Sequence, residues 1–144
     1  MVDRRTRGAT VVTIGGVVML VGTFLPWLRS GARNRSSYTI FDLVERLGFA
    51  QGGVIEWSLR LWPLVPLLLV ATVITAWAVG TEHLSWPVPL TLASCAVIWV
   101  GGTALALLLA PDIALFGVGV GPAVTLAGAA LLLGGIVVLR TPEE

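Results

Sequence analysis

The side chains that could do chemistry in this chain are few and lie far apart. The one cysteine, Cys95 in the run TLASCAV, cannot close a disulfide within the chain, nor supply the cysteine pair that four-helix disulfide-forming oxidoreductases need. It reads as a small apolar residue packed between helices. The one histidine, His83, stands beside Glu82 and near Trp86, and alone it provides neither a zinc site nor two axial imidazoles for a haem. Asp42 and Glu45 are three residues apart on what would be a two-turn helix, where acids are solvated more often than they act as a general acid and base. Gly117, Gly119 and Gly121 have the density of a phosphate-binding loop but lack its lysine and hydroxyl residue and follow no strand pattern, so they read as a flexible connector. No catalytic residue, metal ligand or cofactor is expected, and the chain is not expected to be an enzyme.

What remains is arginine. All nine basic residues are arginine, against eight acids, for a net charge of +1. That balance leaves no basic surface of the kind a phosphate backbone requires, so nucleic acid is not an expected partner. The exclusive use of arginine points to GC-rich codons and a high-GC bacterium. Arg29, Arg33 and Arg35, with Tyr38 at their edge, form the candidate contact surface. They could make the rim of a partner-docking face, or present guanidinium forks to lipid phosphates. Arginines beside a span also serve simply as interfacial anchors.

The elements that must position these residues are dictated by apolarity. Of 144 residues 56% are apolar and 12% charged, with a mean hydropathy of +0.94. Crossing a hydrocarbon core takes about 20 apolar residues. Four uncharged runs meet that length, at about 9–28, 61–80, 87–110 and 118–139, and predict an all-α bundle of four transmembrane helices in one domain, residues 1–144. Pro63, Pro66, Pro87 and Pro89 fall where helices begin. Pro111 and Asp112 stop the third run. The first run, behind Arg4, Arg5 and Arg7, reads as a retained span rather than a cleaved signal sequence, because it is long for a signal and ends in Pro26-Trp27. An even number of spans puts both termini and the short second loop on one side. The arginine count is nearly balanced between the sides, and the leading cluster favours cytoplasmic termini.

No Asp, Glu, Lys, Arg or His lies inside these four runs. Proton-coupled pumps and exporters ordinarily need one there, so ion-driven transport is not expected, whereas a neutral groove for an apolar ligand remains open. The small pairs Ala123 and Ala127, Ala130 and Gly134, and Gly121 and Thr125 read as packing seams of the bundle, or as an interface with another chain.

Residues 29–60 form the one long loop. Thr39 and Asp42 resemble a capping box, and Ile40, Leu43, Val44 and Leu47 repeat at helical spacing, so a short amphipathic helix is expected over about 40–47. Gly48 would end it and Phe49 would fold back on it. Such a helix needs support, either from the tops of the spans or from the lipid interface. Of six tryptophans, Trp27, Trp57, Trp62, Trp77 and Trp86 fall near predicted span ends and read as an aromatic belt. Trp99 falls in mid-span, where its indole N–H needs a partner in a neighbouring helix or, in the sharper reading, stacks on a ligand.

The run Phe24-Leu25-Pro26-Trp27-Leu28, the stretch Arg35-Ser36-Ser37-Tyr38 and three further charge-free spans resemble uncharacterised small four-span membrane proteins of actinobacteria. The ending from Thr125 to Arg140 is also similar to the tryptophan-associated membrane protein family. The resemblance implies a bacterial plasma-membrane protein and supplies no catalytic residues. Two functions follow as expectations. One is an accessory or scaffold protein, its partners membrane lipids and a second copy or a larger membrane complex. The other is a carrier or sensor of a lipid or apolar ligand held between the spans and the first loop.

Overall fold

The computed structural model describes residues 3–30, 33–46, 54–79, 84–109 and 117–140. In chain order they form α1 (Arg4–Phe24), β1 (Pro26–Ser30), β2 (Arg33–Ser36), α2 (Ser37–Arg46), α3 (Val54–Leu61), a 3-10 turn (Trp62–Leu64) and α4 (Val65–Ala78). Then follow α5 (Pro87–Ala96), a π-helical turn (Val97–Gly101), α6 (Gly102–Leu109), β3 (Gly117–Val118) and α7 (Gly121–Arg140). The protein is mostly helical, with one small three-stranded sheet at one end of the helices.

Three helices are long and apolar enough to cross a membrane: Arg4–Phe24, Pro87–Leu109 and Gly121–Arg140, of 21, 23 and 20 residues. The expected second span is shorter and broken. The run 61–80 resolves into the end of α3, the 3-10 turn and α4, leaving an apolar helical stretch over Trp62–Ala78. Pro63 and Pro66 do mark helix starts, but of two successive elements, since each lacks the N–H that would continue the preceding one. The first span also shifts. It begins at Arg4, where the Asp3 carboxylate accepts the Arg5 N–H, and it ends at Phe24 rather than at 28. Leu25 precedes a proline and takes the extended backbone that this position favours, at φ −68° and ψ 162°, so residues 26–30 leave as a strand.

The packing rests on a glycine seam. Glycines recur every seventh residue on α1, at Gly8, Gly15 and Gly22, and again on α7, at Gly121, Gly128 and Gly135. The two helices run antiparallel with glycine facing a larger residue at each step: Gly8 against Leu139, Val12 against Gly135, Gly15 against Leu132, Met19 against Gly128 and Gly22 against Thr125. A Cβ on Gly128 would stand 2.6 Å from the Met19 Cα, and one on Gly135 would stand 2.6 Å from the Val12 N. Only glycine lets the two backbones approach this closely, and in lipid close packing is what drives helices together. A seven-residue repeat keeps such a seam facing its partner when two helices wind left-handedly.

The other helices complete the bundle. α1 also packs on α4, α4 on α5, and α5 and α6 on α7. The buried core runs through Val12, Met19, Val65, Leu69, Val100, Leu132 and Ile136. The outward faces are apolar too, with Leu67, Ile74, Ile98, Leu109 and Val137 all more than 60% exposed, as a lipid-facing surface requires. Hydroxyls on these helices mostly bond their own backbone, as Thr10 does to Thr6 O and Thr91 to Pro87 O. At the end holding Arg5 and Arg140, the Arg5 guanidinium donates to Trp77 O at the close of α4, and Arg140 lies 5.0 Å over the Trp86 ring. The start of α1 and the end of α7 thus lie beside the close of α4 and the start of α5.

Candidate functional site

The opposite end of the bundle carries the arginines of the first loop, and a sheet, not a helix alone, positions them. β1 pairs antiparallel with β2 on one edge and with β3 on the other. The register pairs Leu28 with Arg35, Arg29 with Asn34, and Ser30 with Arg33. Opposed residues in an antiparallel pair share a face, and successive residues alternate. Arg33 and Arg35 therefore lie on one face with Leu28, which also pairs with Val118 of β3. Arg29 lies on the other face with Asn34 and Gly117. A Cβ on Gly117 would lie 3.6 Å from that of Arg29, as a same-face pair should. The three arginines grouped by sequence are thus divided. None of them has an ion-pair partner among the described residues; Arg46 instead pairs with Asp42 at 3.0 Å on the exposed side of α2.

The register slips between Pro26 and Leu28, so that Trp27 falls at the irregularity. Its side chain enters the bundle, 1% exposed, and donates to Gly22 O at 2.9 Å. The Trp27 ring lies where a side chain on Gly121 would go, and Gly119 donates to Trp27 O at 2.9 Å, joining β1 to the entry of α7. Gly119 is itself fixed by close approach, because its Cβ would meet the Pro26 carbonyl. The glycine-rich stretch expected to be a connector is thus part strand and part packing contact.

α2 begins at Ser37, earlier than the expected 40, which puts Thr39 inside the helix rather than at its cap. The Ser36 hydroxyl, just before the helix, meets that of Thr39 at 3.2 Å. Tyr38, Ile40 and Phe41 pack on the core, while Leu43, expected on the buried stripe, is 37% exposed. Leu47, Gly48 and Phe49 lie outside the described residues, as do Glu82, His83, Pro111 and Asp112.

Ser37, which the sequence offers only as part of the run Arg35-Ser36-Ser37-Tyr38, ties the cap to the bundle. Its hydroxyl donates to Thr23 O at 2.7 Å and accepts from Trp62 Nε1 at 3.1 Å, all buried. Trp62 is the hub of an aromatic cluster. It meets Trp27, Phe41 and Trp99 edge to face at centroid distances of 5.9, 4.3 and 6.0 Å. This corrects the belt expected of five tryptophans. Trp27 and Trp62 are core residues, at 1% and 2% exposed, whereas Trp57, Trp77 and Trp86 remain at the surface. The signal available was local: Trp27 follows one proline and Trp62 precedes another, so each sits where a helix is interrupted and a side chain can turn inward.

Tyr38 stacks on Phe24 at 4.8 Å. Burial pushes its phenol above the ordinary tyrosine range, and the neighbouring Thr23 hydroxyl opposes this only in part. Among the described residues, three buried polar atoms make no hydrogen bond of good geometry: Tyr38 Oη, which the Thr23 hydroxyl only neighbours, Trp99 Nε1 and Thr125 Oγ1. Trp99 lies in the π-helical turn, and its carbonyl accepts from the Thr103 hydroxyl at 2.6 Å. The partner expected for its indole N–H is not among the described residues. Thr125 lies in the seam, its oxygen standing where a Cβ on Gly22 would go.

Taken together, this end of the molecule offers guanidinium donors, an apolar strip of Leu28 and Val118 beside two of them, and a buried neutral polar network. Such groups bind and orient. Cys95 is exposed on α5 rather than packed between helices as expected. No family model matches the chain, and neither the curated proteins nor the solved structures give a significant match.

Proposed function

We propose that the chain is a four-span accessory or scaffold protein of a bacterial plasma membrane, non-enzymatic, with both termini cytoplasmic, which assembles with a second copy or a larger membrane complex. The fourth span in this reading is Trp62–Ala78, whose 17 residues stand at the lower limit for crossing a bilayer. The observation that carries the reading is the second face of α7. Its glycine row is filled by α1 and by Trp27, but Ala123, Ala127, Ala130 and Gly134 are exposed and repeat at the same four-and-three spacing on nearly the opposite side. Nothing lies within 4 Å of a Cβ placed on Gly134. A lipid-facing row of small residues lets another helix approach as closely as α1 does on the inner face.

The test uses the single cysteine. In a Cys95→Ala background, Ala127→Cys should crosslink in native membranes to a second copy or to a partner, while Ile74→Cys on the lipid face of α4 should not. A strictly monomeric Ala127→Cys protein, with no adduct, would overturn the proposal.

A second reading, a carrier or sensor of an apolar ligand between the spans and the first loop, is favoured by the indole N–H of Trp99, which has no partner among the described residues, beside the Trp62 hub. It requires that N–H to have a bound acceptor.

A further inference from the structure

We propose that Arg33 and Arg35 form a binding site for the phosphate of an anionic phospholipid. The inference rests on the membrane reading above and deepens it by assigning a ligand class to one face of the sheet.

Alternate residues on a strand stand about 6.6 Å apart on the same side, so the two guanidiniums can converge on one tetrahedral oxyanion. Neither has an ion-pair partner among the described residues. The same face continues across the sheet from Arg35 to Leu28 and Val118, which the register places side by side. Leu28 is half-buried and Val118 is 38% exposed, so an apolar strip lies next to the cationic pair. A ligand that fits both must carry negative charge and hydrocarbon within one short reach. The position is right for a lipid. β1 starts two residues after α1 ends at Phe24, itself 59% exposed, so the sheet begins where the hydrocarbon should give way to headgroups. Arg29 has the same charge and nearly the same depth but belongs to the opposite face, beside Asn34 and Gly117. It is therefore an internal control that the structure supplies.

The full-length protein, purified in a mild nonionic detergent, is titrated with phosphatidylglycerol or phosphatidylcholine, and retained lipid is counted by native mass spectrometry. The wild type should retain phosphatidylglycerol in preference to phosphatidylcholine. Arg33→Gln with Arg35→Gln should weaken that retention at least about tenfold, the scale of one charge-assisted hydrogen bond, and Arg29→Gln should stay close to wild type. The double lysine variant, R33K/R35K, should lose most of the preference, because it keeps the charge but not the planar fork. Free glycerol phosphate should not displace the lipid, because it lacks the chains that meet Leu28 and Val118. Circular dichroism of each variant checks that the helices persist.

Equal losses from Arg29→Gln and from the Arg33 and Arg35 pair would reduce the site to diffuse charge and overturn it. So would displacement by glycerol phosphate, or unchanged lipid retention in the pair variant together with loss of a co-purifying acidic protein. Recovery of the chain from the aqueous phase without detergent would instead overturn the membrane reading beneath it.

Discussion

The Thr125 hydroxyl lies where a side chain on Gly22 would begin, and the two residues close one end of a seam that runs to Gly8 and Leu139 at the other. The seam fixes the distance between α1 and α7, and through them the position of the sheet that β1 and β3 extend from their ends.

Glycines at this seam should be irreplaceable where glycines elsewhere are not. In Gly128→Ala the new Cβ meets the Met19 backbone at 2.6 Å, and backbone cannot step aside, so a loss of about 2–3 kcal/mol is expected. Gly134→Ala and Gly102→Ala meet nothing within 4 Å and should gain about 0.5–1 kcal/mol from helix propensity. Thermal unfolding in detergent separates the two classes; equal stability for Gly128→Ala and Gly134→Ala would contradict the packing.

Ser37→Ala should destabilise the cap. It leaves Trp62 Nε1 and Thr23 O buried without each other's bridge, at a cost of about 1–3 kcal/mol. Trp62→Phe removes the donor itself, so the double variant should cost less than the sum of the two single ones. Strict additivity in chemical denaturation would show that the bridge does not form.

Trp99→Phe discriminates the two functional readings. If the indole N–H is truly unpaired, the phenyl ring relieves a buried donor and stability should be unchanged or slightly higher, apart from the smaller ring volume. If a bound apolar molecule with a carbonyl or phosphate oxygen accepts that N–H, the variant should lose thermal stability in native membrane extracts but not after delipidation. The comparison of the two preparations is the measurement.

Tyr38 is the sole tyrosine, so a near-ultraviolet tyrosinate titration reports it alone. Its pKa is raised mainly by burial, so ionisation should begin above the range of a free tyrosine. The sign for stability follows from linkage. The folded state holds the proton more tightly than the unfolded state, so the contribution is complete below the unfolded tyrosine pKa and is lost as pH climbs through the folded one. A titration coinciding with that of the denatured protein would contradict the packing of Tyr38 against Phe24.

Much of this was legible in the residues themselves. Uncharged runs of span length dictated apolar helices, because a backbone in hydrocarbon must bond to itself, and Pro63, Pro66 and Pro87 marked starts because proline lacks the N–H of an interior position. The seven-residue recurrence of Gly8, Gly15 and Gly22 with Gly121, Gly128 and Gly135 was also present in the letters. Gly121 and Thr125 were recognised as a pair, but Ala123, Ala127, Ala130 and Gly134 turn away from the bundle, because composition gives spacing along a helix and not the direction in which the helix faces. Tertiary structure alone decided that direction. It also decided that Pro26–Ser30 is a strand rather than the end of a span, since its partners come from 33–36 and 117–118, one of them nearly ninety residues away in the chain. The same pairing put Arg29 on one side and Arg33 and Arg35 on the other, a division that residue type cannot express and hydrogen-bond register does.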